Sequence, residues 1–306
     1  MKFMEERKTM IEIRNVDKSF FKNQVLSKIN LTIQRGSIFG LIGVNGSGKS
    51  TLLRLIADVY QPDQGEIFID GEEVKENEKA KAKLFFLPDE PYYDLKTTPQ
   101  SLSEFYQAFY ALNEKKLAAI LKDFAIDKNA NICNFSKGMK RQVFLALAIA
   151  IEPEYLLLDE AFDGLDPLAR NKYKQYLIDL VADKKSTIII SSHSLRELSD
   201  ICDSFGIINQ NHILLEGNLM ENMSKYHKYQ VAFLKEISKE MIPFSLLQFK
   251  KDKRIVTFVC ELDYDEVNKK LEELSPVMMD ELMIDFEELF VLEITREEEQ
   301  NHEKNA

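Results

Sequence analysis

The spacing of apolar residues predicts a chain in which strands alternate with helices. Short apolar runs predict strands at Ser37–Ile42, Glu66–Asp70 and Lys83–Leu87. The runs Tyr155–Leu158 and Ser186–Ser192 are bounded by polar residues, as in strands that a parallel sheet buries on both faces. Strands that alternate with helices in this way predict an α/β core.

Two further strands are predicted near the start of the chain, at residues 10–16 and 25–33, with residues 17–24 as the loop between them. From Ser101 to Ile126, apolar residues recur at spacings of three and four, which predicts helices. The mostly helical stretch of about residues 91–150 is therefore expected to be a helical subdomain inserted into the α/β core.

The pattern changes after Gly217 and predicts a second, smaller domain with strands and helices of its own. The predicted strands are Tyr229–Leu234, Phe244–Phe249, Arg254–Leu262 and Val277–Ile284, and the predicted helices are Asp265–Leu274 and the run from Asp285 to the polar tail. We therefore expect one domain over residues 1–225 and a C-terminal accessory α+β domain over residues 226–306.

One segment between a predicted strand and a predicted helix indicates phosphate binding. Residues 43–51 satisfy the pattern G-x-x-x-x-G-K-[ST] of the phosphate-binding loop. Its glycines let backbone N–H groups converge on one anion, and the following helix adds its positive N-terminal end. Lys49 is expected to reach the β- and γ-phosphates, and the Ser50 hydroxyl to ligate Mg²⁺. The candidate nucleotide-binding residues in this loop are Gly43, Val44, Asn45, Gly46, Ser47, Gly48, Lys49, Ser50 and Thr51.

An acidic pair completes the pattern of a nucleotide-hydrolysing site. Asp159 and Glu160 directly follow the predicted strand Tyr155–Leu158, whose C-terminal end is expected beside the phosphate loop. Asp159 is expected to hold Mg²⁺ through water. Glu160 is expected to polarise the attacking water.

Charge and composition exclude several classes of partner. The net charge of −11 in 306 residues argues against binding to nucleic acid. Residues 218–306 hold 20 acidic and 12 basic residues, which favours a solvated acidic face over an acidic docking surface. No apolar run approaches the roughly 18–20 residues that cross a bilayer, so no direct membrane insertion is expected. The three widely spaced cysteines, Cys133, Cys202 and Cys260, predict reduced thiols in a cytosolic protein and no metal site.

Five segments, in order, resemble the ATP-binding subunit of an ABC transporter over about residues 10–225. The first is the phosphate loop. The second, residues 135–142 (FSKGMKRQ), resembles the family signature LSGGQ. The third is the pair Asp159–Glu160. Residues 164–166 (GLD) resemble the loop that touches the partner subunit's site, and His193 resembles the switch histidine.

The resemblance implies a P-loop ABC ATPase core that dimerises head to tail around two ATP molecules with Mg²⁺. Each ATP would lie between the phosphate loop of one copy and the signature of the other, where Ser136 and the Gly138 backbone would meet the γ-phosphate. His193 would contact the γ-phosphate and hold the water with Glu160, so the expected catalytic residues are Glu160, His193 and Lys49. Further nucleotide contacts expected from the resemblance are Phe20, Val25, Phe135, Ser136, Lys137, Gly138, Met139 and Asp166.

Phe20 leaves two interpretations open. It lies in the predicted loop before Val25, and it matches the family position whose aromatic ring stacks on adenine. Because Phe21 adjoins it, Phe20 is also compatible with ordinary core packing.

Asp89 stands where the family has a Gln that ligates Mg²⁺, and it too leaves two interpretations open. A carboxylate ligates Mg²⁺ as well as an amide oxygen does, which gives Ser50, Asp89 and Asp159 as the expected metal set. Alternatively, Asp89 caps a turn before Pro91.

The resemblance implies an ATPase subunit that powers a separately encoded integral-membrane permease. The signature FSKGM is similar to that of a bacterial branch of export, multidrug or peptide-resistance transporters. Such a subunit would be cytoplasmic, peripheral on the inner face of the cell membrane, and either a homodimer or a heterodimer with a paralogous ATPase. The helical subdomain and the pair Tyr92 and Tyr93 are expected to dock the permease. The alternative is a soluble, non-transport ABC ATPase acting in regulation or translation.

Overall fold

The computed structural model of the protein describes residues 10–305. Residues 1–9 and residue 306, which the two predicted domains include, lie outside the described residues. The chain divides into two compact units, one up to Glu216 and one from Gly217 onward, whereas the sequence pattern put the division after residue 225.

The first unit alternates strands with helices. Its strands are β1 (Met10–Phe20), β2 (Asn23–Gln34), β3 (Ile38–Ile42), β4 (Gln64–Ile69), β5 (Glu72–Glu73), β6 (Leu84–Leu87), β7 (Tyr155–Leu158), β8 (Thr187–Ser192), β9 (Ser204–Asn209) and β10 (His212–Asn218), the last two residues of which fall beyond the division. Its helices are α1 (Lys49–Ile56), α2 (Glu78–Ala82), α3 (Pro99–Gln107), α4 (Glu114–Asp123), α5 (Lys137–Ile151), α6 (Pro167–Lys184) and α7 (Leu195–Leu198), with a short 3₁₀ turn at Ile132–Asn134. The α/β core predicted from the alternation is confirmed.

The larger sheet has the strand order β10-β9-β3-β8-β7-β6, and its strands from β9 to β6 are parallel. Strand pairing sets Ile42 opposite Ser192, and Leu158 opposite both Ile190 and Leu87. The carboxyl ends of four neighbouring strands therefore meet at one edge. Ligands of open α/β sheets bind outside this edge.

A second sheet, with the order β2-β1-β4-β5, is antiparallel. One hydrophobic core joins the two sheets through α1, whose residues Leu52, Leu53, Leu55 and Ile56 are buried. This packing fixes α1 directly behind the phosphate loop. Helix α5 is apolar on every side from residue 143 to residue 151 and is buried over that length, as expected for such a helix.

The helices near the carboxyl edge begin in two different ways. Ser136 caps α5 by accepting a hydrogen bond from the Met139 N–H, and the Asp166 carboxylate caps α6 by accepting two backbone N–H groups. Helix α1 has no such side-chain cap, because its N-cap residue is Gly48 in the left-handed region at φ 107°. The first N–H groups of α1 are thus open to an anion.

The first hairpin differs from the loop predicted at residues 17–24. Strand β1 continues to Phe20 and β2 begins at Asn23, so only Phe21 and Lys22 form the turn. Phe21 adopts φ 56°, because the favoured two-residue hairpin turns require a positive φ at their first residue. Register shifts along β1 interrupt the apolar–polar alternation there, and this is why the sequence pattern concealed the strand.

The second unit forms a four-stranded antiparallel sheet with the order β12-β13-β11-β14. Its elements are α8 (Leu219–Met223), β11 (His227–Phe233), β12 (Gln248–Asp252), β13 (Ile255–Cys260), α9 (Tyr264–Leu271), β14 (Pro276–Leu282) and α10 (Phe286–Asn305), with short 3₁₀ turns at Lys239–Met241 and Glu272–Leu274. The strand order is that of a split β-α-β unit, except that a largely irregular segment replaces the first crossover helix.

The strand predicted at Phe244–Phe249 is mostly wrong. The strand begins at Gln248, while Phe244 and Leu246 pack against the core of the second unit from the irregular crossover. An apolar run that covers a sheet face has the same pattern as a buried strand. That core is centred on buried residues of the sheet and of α9, among them Tyr229, Phe258 and Val267.

Within residues 10–305, every helix is too short or too polar to span a bilayer. The three cysteines form no disulfide with one another.

Because the candidate site lies in the first unit, we expect a chain that ends after Asn218 to keep its fold and its nucleotide site. This chain retains the whole of β10 and the complete six-stranded sheet. The measurements are circular dichroism and calorimetric titration with MgATP, with the full chain as the control. A truncated chain that is folded but does not bind MgATP would show that the second unit contributes to the site.

Candidate functional site

The phosphate loop joins β3 to α1 at the carboxyl edge and encloses a buried lysine. The Lys49 ammonium donates hydrogen bonds to the carbonyl oxygens of Gly43 (2.7 Å) and Val44 (3.2 Å). A Cβ atom on Gly43 would lie 2.4 Å from the Ser47 hydroxyl and 2.6 Å from the backbone carbonyl oxygen of Ile208, so only glycine fits this position. The loop therefore curls tightly around the Lys49 side chain.

Asp159, directly after β7, is the most enclosed charged residue of the site, with an exposure of 0%. One of its carboxylate oxygens, Oδ1, accepts hydrogen bonds from the hydroxyls of Ser50 (2.9 Å) and Ser191 (2.7 Å). These contacts join the ends of β7 and β8 to the first turn of α1. The other oxygen, Oδ2, is buried and has no hydrogen-bond partner within residues 10–305.

Two buried oxygens at this edge are suited to a phosphate and its cation. Buried polar atoms are normally paired, and Asp159 Oδ2 is a hard oxygen beside a hydroxyl, the donor type that Mg²⁺ prefers. The buried Ser47 hydroxyl also has no partner in the described part of the chain, and it lies within the phosphate loop. The residues present therefore fit a Mg²⁺-bound phosphate group.

Glu160 stands between Lys49 and His193. Its Oε1 atom lies 3.3 Å from Lys49 Nζ, and its Oε2 atom lies 2.9 Å from His193 Nδ1. Glu160 adopts φ 46°, a left-handed conformation that is uncommon for a side-chain-bearing residue and characteristic of constrained functional positions. Its backbone N–H donates to the Ser191 hydroxyl at 2.9 Å, which helps to hold this conformation.

A hydrogen-bonded turn orients His193 at the end of β8. The Ser192 hydroxyl accepts the Ser194 N–H (2.9 Å) and donates to the Glu197 carboxylate (3.1 Å). Glu197 also pairs with Arg170 of α6 at 2.9 Å. The turn that carries His193 is therefore tied to a rigid helix.

Ser191 is a site residue that the sequence analysis did not identify. Its hydroxyl donates to Asp159 and accepts from the Glu160 backbone, so one side chain fixes both members of the acidic pair. A signal was present, because Ser191 and Ser192 interrupt an apolar strand at the edge where the acidic pair was expected.

The structure brings the signature segment next to the loop of residues 164–166. A Cβ atom on Gly138 would lie 2.8 Å from the Gly164 carbonyl oxygen, and Lys137 Nζ lies 2.6 Å from Asp163 Oδ2. The Ser136 side chain is exposed and accepts a hydrogen bond from the helix that it caps. Asp166, predicted as a nucleotide contact, caps α6 in this structure.

Phe20 and Val25 lie on the two strands of the first hairpin. The Phe20 ring is partly buried and packs edge-on against Tyr60, with 5.4 Å between ring centroids. A Cβ atom on Gly48 would come within 3.0 Å of the Val25 carbonyl oxygen, so Val25 borders the phosphate loop. The structure shows packing for Phe20, and its stacking on adenine stays a prediction.

Asp89, two residues after β6, has a contact that neither earlier interpretation included. Its carboxylate forms an ion pair with the Arg141 guanidinium of α5. Tyr92 is exposed, but Tyr93 is partly buried and packs against Phe144, with 6.1 Å between ring centroids. Of the two tyrosines that were expected to dock the permease, only Tyr92 is therefore exposed.

Comparison with known proteins identifies clear relatives. Residues 26–163 match the family model described as ABC transporter. The chain is 32% identical over 283 residues to the ABC transporter ATP-binding protein YtrB of Bacillus subtilis, covering 92% of this chain and 97% of that protein. It is 31% identical to the bacitracin transport ATP-binding protein BcrA of Enterococcus faecalis, covering 72% and 73% of the two chains. A solved structure titled as the ATP-binding subunit of an ABC transporter matches with a TM-score of 0.65 and 28% identity, over 70% of this chain and 92% of that one.

We expect the substitution Ser191→Ala to loosen the acidic pair, because Asp159 and the Glu160 N–H would each lose a hydrogen-bond partner. The expected loss of unfolding free energy is about 1–3 kcal/mol, together with weaker stabilisation by MgATP in thermal unfolding. Ser186→Ala is the matched control, since Ser186 is equally buried and donates to the Pro153 carbonyl oxygen instead. Equal MgATP stabilisation in both variants would contradict the assigned role of Ser191.

Proposed function

This chain belongs to the ABC transporter ATP-binding family, and from that premise we propose how its residues carry out Mg²⁺-dependent ATP hydrolysis that powers transport. It is an ATP-binding and ATP-hydrolysing subunit with the P-loop ABC core. The observation that best supports the proposed residue roles is the cluster at the carboxyl edge, where Glu160 contacts both Lys49 and His193 and the Ser191 hydroxyl links Glu160 to Asp159.

The phosphate loop and the buried carboxylate are proposed to bind MgATP. Lys49 and the uncapped N-terminus of α1 bind the phosphates, and Ser50 and Asp159 hold the cation. When bound, Mg²⁺ neutralises charge on the β- and γ-phosphate oxygens. In the described structure Lys49 is paired with Glu160 and with carbonyl oxygens of its own loop, so a phosphate would compete with these contacts for the ammonium.

Glu160 is proposed to accept a proton from the attacking water, with His193 holding Glu160 in place. Glu160 is largely buried, whereas the His193 ring is half-exposed and can reach toward a γ-phosphate at the surface of the chain. Because the Ser191 hydroxyl fixes the Glu160 backbone, the carboxylate keeps a defined direction while its side-chain partners change.

The signature segment is proposed to complete the site of a second ATPase copy, as the family pattern implies. Ser136, at the exposed N-terminus of the 15-residue helix α5, is suited to meet a phosphate from outside the chain. Phe135, Lys137, Gly138 and Met139 lie in the same turn. We propose a dimer of such domains, either two copies of this chain or one copy with a paralogue.

ATP-binding subunits of this family work with membrane permease components, and we propose an integral-membrane permease on a separate chain as the partner. The exposed Tyr92 and the helices α3 and α4 are the proposed docking region. We propose export as the direction of transport, which the signature variant supports. The subunit would then act at the inner face of the cell membrane.

The substitution Glu160→Gln is expected to keep ATP binding while nearly abolishing turnover, because the amide cannot accept the proton. The ATP-loaded protein should shift to a dimer in size-exclusion chromatography with MgATP. Lys49→Ala is the control, and it is expected to lose ATP affinity itself in calorimetry. Turnover of Glu160→Gln within twofold of the unsubstituted protein would remove Glu160 from this role.

A further inference from the structure

The ion pair between Asp89 and Arg141 is unequally buried. The Arg141 side chain is 4% exposed, whereas the Asp89 side chain is 46% exposed. A buried guanidinium is costly without a counter-charge. The other described contact of Arg141 is a long hydrogen bond to the Pro88 carbonyl oxygen, at 3.5 Å. The charge of Arg141 also helps to lower the pKa of Asp163, but Asp89 is the carboxylate in direct contact with the buried guanidinium.

The ion pair connects two parts of the chain that are proposed to contact different ATP molecules. One part is the edge of the sheet beside Asp159, and the other is the signature helix α5. Asp89 lies two residues beyond Leu87, whose carbonyl oxygen accepts the Asp159 N–H at 2.9 Å. Arg141 lies on α5, one turn after the capping residue Ser136. One ion pair thus connects the carboxyl edge of the larger sheet, where Asp159 is proposed to hold the metal (the metal-binding edge), to the helix that carries the signature.

A second tie runs from the same helix to the loop after the acidic pair. Lys137 pairs with Asp163 at 2.6 Å, and the Asp163 N–H donates to the Glu160 carbonyl oxygen at 3.0 Å. The hydrogen bond from Lys137 is the main reason why the pKa of Asp163 is lowered. The Lys137 side chain is 69% exposed, so this tie is weaker than the one made by Arg141.

We propose that Arg141 is a positioning residue that couples the signature helix α5 to the metal-binding edge of the same chain by holding Asp89. This rests on the proposed function, in which α5 contacts the ATP of the partner copy. Movement of α5 would pull the loop after β6, which begins beside Asp159. Asp89 in place of the family's Gln fits the same contact, because a neutral Gln would leave the buried guanidinium without a carboxylate in direct contact.

A double-mutant cycle on the full-length protein tests this coupling. The variants are Asp89→Gln, Arg141→Gln and the two combined, with Arg141→Lys as a variant that keeps the charge. Each single substitution is expected to lower kcat roughly three- to thirtyfold, the range typical of coupling between linked sites, with MgATP affinity unchanged within about twofold. The double variant should be no slower than either single variant, because the coupled contact can be lost only once.

The matched control is the pair formed by Lys174 and Asp200. It has a similar imbalance of burial, with side chains 8% and 58% exposed, but it lies outside the proposed site. Asp200→Asn should change thermal stability as Asp89→Gln does, yet leave kcat within twofold. If Asp89→Gln and Arg141→Gln also leave kcat within twofold, the pair is only structural and the proposal is wrong.

Titration with Mg²⁺ distinguishes coupling from metal ligation by Asp89. Coupling predicts the same half-saturating Mg²⁺ concentration in Asp89→Gln and Arg141→Gln. A shift in Asp89→Gln alone, which persists in the double variant, would make Asp89 a metal ligand and overturn the proposal. The proposal would also be overturned if the loss of kcat in the double variant equalled the product of the losses in the two single variants.

Failure of the proposed function itself would be distinct, because the unsubstituted protein would then show no MgATP turnover. A poorly folded Arg141→Gln would be recognised by its thermal unfolding, and Arg141→Lys with Asp89→Gln would then test the same coupling.

Discussion

The buried carboxylate of Asp159 is the constraint on which the rest of the site depends. A fully buried charge is tolerated only where donors surround it, and two hydroxyls from different elements supply them here. These donors, Ser50 and Ser191, can meet one carboxylate only if β7 and β8 end, and α1 begins, at the same edge of the sheet. The parallel register of the strands provides this alignment, so the position of the carboxylate and the topology of the sheet support each other.

Charged and polar side chains at this edge form a connected series rather than separate pairs. Lys49 contacts Glu160, Glu160 contacts His193, and the Ser191 hydroxyl links Glu160 to Asp159. Such a network is stable in a single chain because each charge has a partner. It also means that a bound phosphate must replace contacts of Lys49, and the release of Glu160 from the lysine would accompany nucleotide binding.

The sequence predicted the parts of this protein that local patterns determine, and missed those that depend on distant side chains. The parallel strands, the phosphate loop and the acidic pair were evident, because each has a short and specific pattern. The strand that continues to Phe20 was missed because bulges broke its alternation. Ser191 and Arg141 were missed for another reason: their partners, Asp159 and Asp89, are 32 and 52 residues away. The two serines that interrupt an apolar strand marked the edge of the sheet, but no local pattern shows which distant residue a side chain contacts.

Two charged residues that depart from the family pattern become understandable together once their partners are known. Lys137 occupies a position where the family signature has Gly, and Asp89 one where it has Gln, so each adds a charge that the family pattern lacks. Both charges are satisfied within the chain, by Asp163 and by Arg141. The N-terminal part of α5 is thus held by ion pairs where the family pattern provides neutral residues. Ion pairs weaken with salt and have definite directions, so the position of α5 here depends on electrostatics more strongly than its short motif suggests.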